Sequence, residues 1–88
     1  MRYRQNTSVE TTSVGDRVVL YETITRKAIV LNPTGAWLWQ QLHAPRRANE
    51  LAQLLQLRYA SVPLATLQAD VEACLRDLNE QKLLCEEV

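Results

Sequence analysis

The apolar positions of this 88-residue chain change their period once, near residue 32. Before that point they fall in short runs rich in Val, Ile and Thr: Ser8–Ser13 (SVETTS), Arg17–Thr23 (RVVLYET) and Lys27–Leu31 (KAIVL). Gly15-Asp16 separates the first two runs, and Ile24-Thr25-Arg26 separates the second from the third. β-Branched residues suit a pleated backbone, and connections this short join antiparallel neighbours. The pattern predicts a three-stranded meander. Residues 1–6 are polar and are expected to be loose.

Beyond residue 32 the spacing becomes helical. Asn32 is a good N-cap, and Pro33 suits a first helical turn, where a missing N–H costs nothing. A first helix is predicted over Pro33–His43, stopped by Ala44-Pro45-Arg46. A second is predicted over Ala48–Tyr59, with Leu51, Leu54, Leu55 and Tyr59 on one face. Ser61-Val62-Pro63 breaks the chain before the longest helix, Leu64–Gln81. Its apolar series is Leu64, Leu67, Val71, Cys74, Leu75 and Leu78, a clean amphipathic stripe. Leu83-Leu84 is expected to cover the core, and Cys85–Val88 to trail off. Three strands followed by three helices make an α+β plan, with 1–88 as a single domain.

Two details bear on function. In the third predicted strand Ile29 and Leu31 share one face with Lys27, while Ala28 and Val30 share the other, so neither face is wholly polar. Trp37 and Trp39, two apart on a helix, cannot both face inward. Ala36, Trp39 and His43 share a face, which places Trp39 in the core.

Composition narrows the chemistry. The chain is 47% hydrophobic and 23% charged, ordinary for a globular protein. Ten basic residues balance ten acidic ones. The fold plan resembles a winged helix, in which a long helix can enter the DNA major groove. The third helical segment, however, carries Asp70, Glu72, Asp77 and Glu80 against Arg76 and Lys82, a net charge of −2. Phosphate would be repelled, so nucleic acid is not an expected partner. Cys74, Cys85 and the single His43 lack metal-ligand spacing, and free thiols are expected. Gly15 and Gly35 cannot build a phosphate loop. No catalytic constellation, metal site or cofactor is expected. The polar opening segment and the lack of any apolar run near ~18 residues speak against a secretory signal or membrane span, which points to the cytoplasm.

What remains is a binding module. A small sheet has edges, and the third strand carries no proline and little charge, so its edge invites another strand. If the Leu67–Cys74 shoulder of the last helix lies beside that edge, a groove results that would take an extended peptide. A generic peptide adaptor fits the same features, and a winged-helix DNA binder fits them less well.

The segment LNPTGAWLW (Leu31–Trp39) resembles the "LN-x-T-G-A-x-x-W" segment of PqqD-like proteins, the recognition elements that bind leader peptides of ribosomally made, modified peptides. The resemblance continues through Glu50-Leu51-Ala52-Gln53-Leu54-Leu55 with Tyr59, through Asp70-Val71, Leu75 and Leu78, and to Leu83-Leu84, where Lys82 replaces the usual glycine. It implies a winged-helix-like fold and a leader peptide added antiparallel to the third strand. By position, Lys27, Ala28, Ile29, Val30 and Leu31 would supply the backbone ladder. Leu67, Asp70, Val71 and Cys74 would line the helix side. Leu42-His43-Ala44-Pro45 departs from the "cDG" turn of the pyrroloquinoline quinone branch, whose members act as chaperones for a radical enzyme. Trp39 and the short length look more like the stand-alone leader-binding proteins of lasso peptide clusters. There the partner is a leader-removing cysteine protease or another maturation enzyme.

Overall fold

A computed structural model describes residues 1–87; Val88 lies outside the described residues. Eight elements follow one another: β1 (Arg2–Gln5), β2 (Val9–Val14), β3 (Arg17–Glu22), β4 (Lys27–Leu31), α1 (Pro33–Gln41), α2 (Ala48–Arg58), α3 (Leu64–Glu80) and β5 (Leu84–Glu87). The expected three-stranded antiparallel sheet is present in the order β2-β3-β4, and three helices follow it. The fold is α+β and winged-helix-like.

The β2–β3 hairpin turns at Gly15-Asp16. Only Gly15 has a positive φ, +64°, the position at which a type II′ turn needs glycine. In the next hairpin Val18 pairs with Leu31, Leu20 with Ile29 and Glu22 with Lys27. Opposed residues share a face, so Val18, Leu20, Ile29 and Leu31 point into the core. Val19, Tyr21, Ala28 and Val30 point away from it.

The strand-to-helix junction behaves as its residues dictate. The Asn32 side chain accepts a 2.6 Å hydrogen bond from the Gly35 N–H, and Pro33 opens the helix. A Cβ on Gly35 would stand 3.1 Å from Asn32 Oδ1, so a larger residue would push on the cap. Trp39 is 1% exposed, as its face demanded, and its indole N–H donates to Thr11 Oγ1 at 2.9 Å. Trp37 is half-buried under the Arg58 guanidinium. Helix α1 ends two residues earlier than its periodicity suggested. Leu42 rather than His43 fills the inner position, and His43 is exposed. In α2 the buried residues are Leu51, Ala52 and Leu55, while Tyr59 stands exposed beyond the helix end.

The termini correct the sequence reading most. Residues 1–6, expected to be loose, are held. β1 pairs antiparallel with β5, the segment expected to trail off. The Tyr3 and Arg46 backbones exchange N–H···O=C bonds, and the Gln5 N–H donates to the Leu42 carbonyl. Arg4 lies within ion-pair distance of Glu87. The Glu87 carboxylate thus faces arginine-bearing β1, while that of Glu86, opposite Tyr3, accepts from the Asn79 side chain at 2.8 Å. A sharp turn makes this pairing reachable. Lys82 adopts φ +61°, the Leu83 N–H donates to the Leu78 carbonyl and the Lys82 N–H to that of Asn79. That is a Schellman end to α3 with lysine where glycine fits best.

Candidate functional site

Sheet β2-β3-β4 leaves the outer edge of β4 without a partner strand. The alternating exposure along it is what a half-covered edge requires. Lys27, Ala28 and Val30 are exposed, Val30 to 59%, whereas Ile29 and Leu31 are half-buried against the core. α1 packs on β3 and β4, so the junction at Asn32-Pro33 holds the edge in place.

On the helix side the expected residues separate into two groups. Val71 is wholly buried and Leu67 is 4% exposed, so in the free chain both are core side chains and Val71 cannot form an open wall. The reason is the amphipathic stripe itself: the same spacing that pointed toward a groove also places these residues at its centre. Cys74 is half-buried at the margin of the cluster, and Asp70 is exposed. Ile29, Leu31 and Cys74 pack against the same core that holds Leu67 and Val71, although the helix packed on β4 is α1, and Lys27, Ala28, Val30 and Asp70 lie outside it.

The sequence reading missed what lies at the Leu31 end of the strand. Val30, Leu31, Asn32 and Pro33 meet Asp16 and Arg17 of the β2–β3 turn around an open depression of about 370 Å³. In the sequence Asn32 and Pro33 read only as a cap and a helix start. Turn residues sixteen positions distant carry no local signal that they will meet them.

At the other end, Glu22 is 2% exposed. The Ser8 hydroxyl beside it and the N–H groups of Ile24 and Thr25, which donate at 3.1 and 2.9 Å, hold its carboxyl at about 2. Glu22 is accordingly ionised and engaged in holding a turn, not poised for proton transfer. Burial, and then the Asp77 carboxylate, push the Cys74 thiol up, away from the thiolate a nucleophile needs. Both cysteines are free. Among the described residues no three metal-ligating side chains gather, and no helix is long and apolar enough to cross a membrane. The arrangement offers backbone groups and apolar surface.

A small α+β domain with a helix-backed open sheet edge defines a class of winged-helix-like recognition modules. The chain belongs to the family described as Coenzyme PQQ synthesis protein D (PqqD), whose sequence profile matches residues 17–84. Among solved structures it is similar to TbiB1 in complex with the TbiA(beta) leader peptide, with 26% identity and a TM-score of 0.86, covering 97% of this chain and 98% of that one. It also shares its fold with a lasso peptide synthetase B1 complexed with the leader peptide, at 21% identity and a TM-score of 0.83, covering 96% and 98%. No curated protein matches it in sequence.

Proposed function

We propose that this chain is a non-catalytic, cytoplasmic binding module for the leader segment of a ribosomally made precursor peptide. The leader adds antiparallel to β4 along Lys27–Leu31, with alternate side chains directed toward the apolar cluster to which Leu67, Val71 and Cys74 of α3 belong. Asp70 stands at the polar rim. The module holds the precursor for a maturation enzyme, a leader-removing protease in the lasso peptide branch. The observation that carries this reading is the open β4 edge with Ile29 and Leu31 half-buried against the core. Backbone hydrogen bonds supply affinity at such an edge, and the side-chain alternation supplies selectivity. Family membership and the likeness to two proteins solved with leader peptides support it.

The test is fluorescence anisotropy of a labelled leader peptide from the precursor of the same gene cluster, titrated with this protein beside a labelled duplex DNA. Saturable peptide binding should change little between about 50 and 200 mM salt, whereas phosphate-driven DNA binding falls steeply over that range. Val30→Glu should weaken the peptide by about tenfold, some 1.4 kcal/mol, without altering the helical circular dichroism. Binding of the duplex with a steep salt slope, and none of the peptide, would overturn the proposal.

A further inference from the structure

The tip of the β3–β4 hairpin, Thr23–Arg26, is built more firmly than a four-residue turn requires. The buried Glu22 carboxylate accepts the N–H groups of Ile24 and Thr25, and the Arg26 N–H donates to the Glu22 carbonyl at 2.7 Å. Thr23 bonds the Ser8 carbonyl twice, through its N–H at 3.1 Å and its hydroxyl at 2.8 Å. Arg26 completes the turn at φ +60°. An ionised carboxylate is an expensive group to bury. What it fixes in place is Ile24, whose side chain is 80% exposed with nothing covering it. Arg26 and Lys27 stand exposed beside it, and among the described residues neither forms an ion pair. The tip therefore presents one aliphatic side chain and two free cations on a stiff support.

Strand polarity gives this tip a place in the assembly. β4 runs from Lys27, at the tip, to Leu31, at the junction with α1. An antiparallel partner runs the other way, entering beside Leu31 and the Asp16–Arg17 turn and leaving beside Lys27. The C-terminal side of a bound leader, which connects to the part of the precursor that is processed, thus emerges at Ile24. A protein that must reach that part approaches the hairpin tip, not the depression at the opposite end.

We propose that the Thr23–Arg26 tip is the docking contact for the maturation enzyme, which receives Ile24 in an apolar socket and faces Arg26 and Lys27 with an acidic rim. The inference rests on the strand-addition reading above. It assigns the β4 edge to the leader and the tip to the enzyme, with Lys27 at their boundary giving its backbone to the first and its side chain to the second.

The test measures two quantities on the same variants, leader affinity by anisotropy and the rate of leader removal from the full precursor by the cluster's protease at limiting concentrations of this protein. Ile24→Asp should leave leader affinity within about twofold and slow removal at least tenfold, the scale of one aliphatic side chain withdrawn from an apolar pocket. Arg26→Asn removes a charge while tolerating the left-handed backbone, and should slow removal by about threefold, a difference that narrows in high salt as the charge is screened. Val14→Asp, at the far hairpin, should leave both quantities unchanged. Normal removal with Ile24→Asp, or an equal loss with Val14→Asp, would overturn the tip assignment while the leader reading stood. Failure of the unaltered protein to bind the leader would overturn both.

Discussion

The sheet has two open edges, β2 and β4, and only one of them is built as a site. β2 has five exposed residues out of six: Val9 packs against the core and Thr11 accepts the Trp39 indole N–H, but Glu10, Thr12, Ser13 and Val14 stand in solvent. β4 alternates, with Ile29 and Leu31 seated in the core and Ala28 and Val30 in solvent. Both edges offer unpaired backbone groups. A peptide added to β2 would gain those bonds and little else, since each also replaces a bond to water and nets only about 1 kcal/mol. At β4 the same peptide meets apolar surface on its inner side, where burial contributes roughly 25 cal/mol per Å². Backing by the core, rather than an open edge as such, distinguishes the two.

The sharpest way to break this comparison is through the core beneath β4. Leu67→Glu should unfold or strongly destabilise the protein, by about 3 kcal/mol or more, since it buries an unpaired charge. Urea denaturation followed by circular dichroism measures this. A stable Leu67→Glu protein that had lost only leader binding would instead make Leu67 part of an open groove wall. Next in size is the contrast between the edges. Thr12→Glu on β2 should leave leader affinity within about twofold, against the roughly tenfold loss expected for Val30→Glu; equal losses would mean that the two edges are not distinct.

Smaller effects probe how each edge is held. Thr11→Val strips the Trp39 indole of its partner and should lower stability by about 1 kcal/mol, without affecting leader binding at β4. Lys82→Gly should raise stability by up to ~1 kcal/mol, because glycine occupies the left-handed position at the end of α3 without the clash a side chain brings. Thermal melts distinguish a gain from a loss in both cases. Acid tests the hairpin tip. Glu22 has a folded-state value of about 2 against 4.5 for the free side chain. Its contribution is complete above the higher value and is lost as the pH falls toward the lower one. Melts between those limits should show stability falling with pH, and Glu22→Gln should flatten the part of the slope that Glu22 causes.

Local patterns made much of the molecule legible. Gly15-Asp16 marked a two-residue turn, Asn32 and Pro33 a helix start, and the series from Leu64 to Leu78 an amphipathic helix, because each signal lies within a few residues of the structure it specifies. The inward placement of Trp39 followed from the same periodicity. Helix ends were less legible: Leu42, not His43, took the inner position, since the last turn is decided by what the core can accept.

Non-local features had no such signal. Arg2–Gln5 reads as a polar tail, and its strand character comes from β5, at the far end of the chain, which supplies both the backbone ladder and the Glu87 carboxylate facing Arg4. The sequence also could not divide the α3 stripe into floor and rim, because periodicity assigns a face but not a depth. Burial then placed Val71 and Leu67 in the core, Cys74 at its margin and Asp70 outside. By itself, then, the sequence determined the order of the three meander strands and three helices, the capped junction between β4 and α1, and a family resemblance whose motifs run from Leu31 to Leu84. Tertiary structure alone decided which edge has a core behind it, that the two ends of the chain pair, and that the Glu22 carboxylate stiffens the hairpin tip, because each of these depends on groups brought together by packing rather than by proximity along the chain.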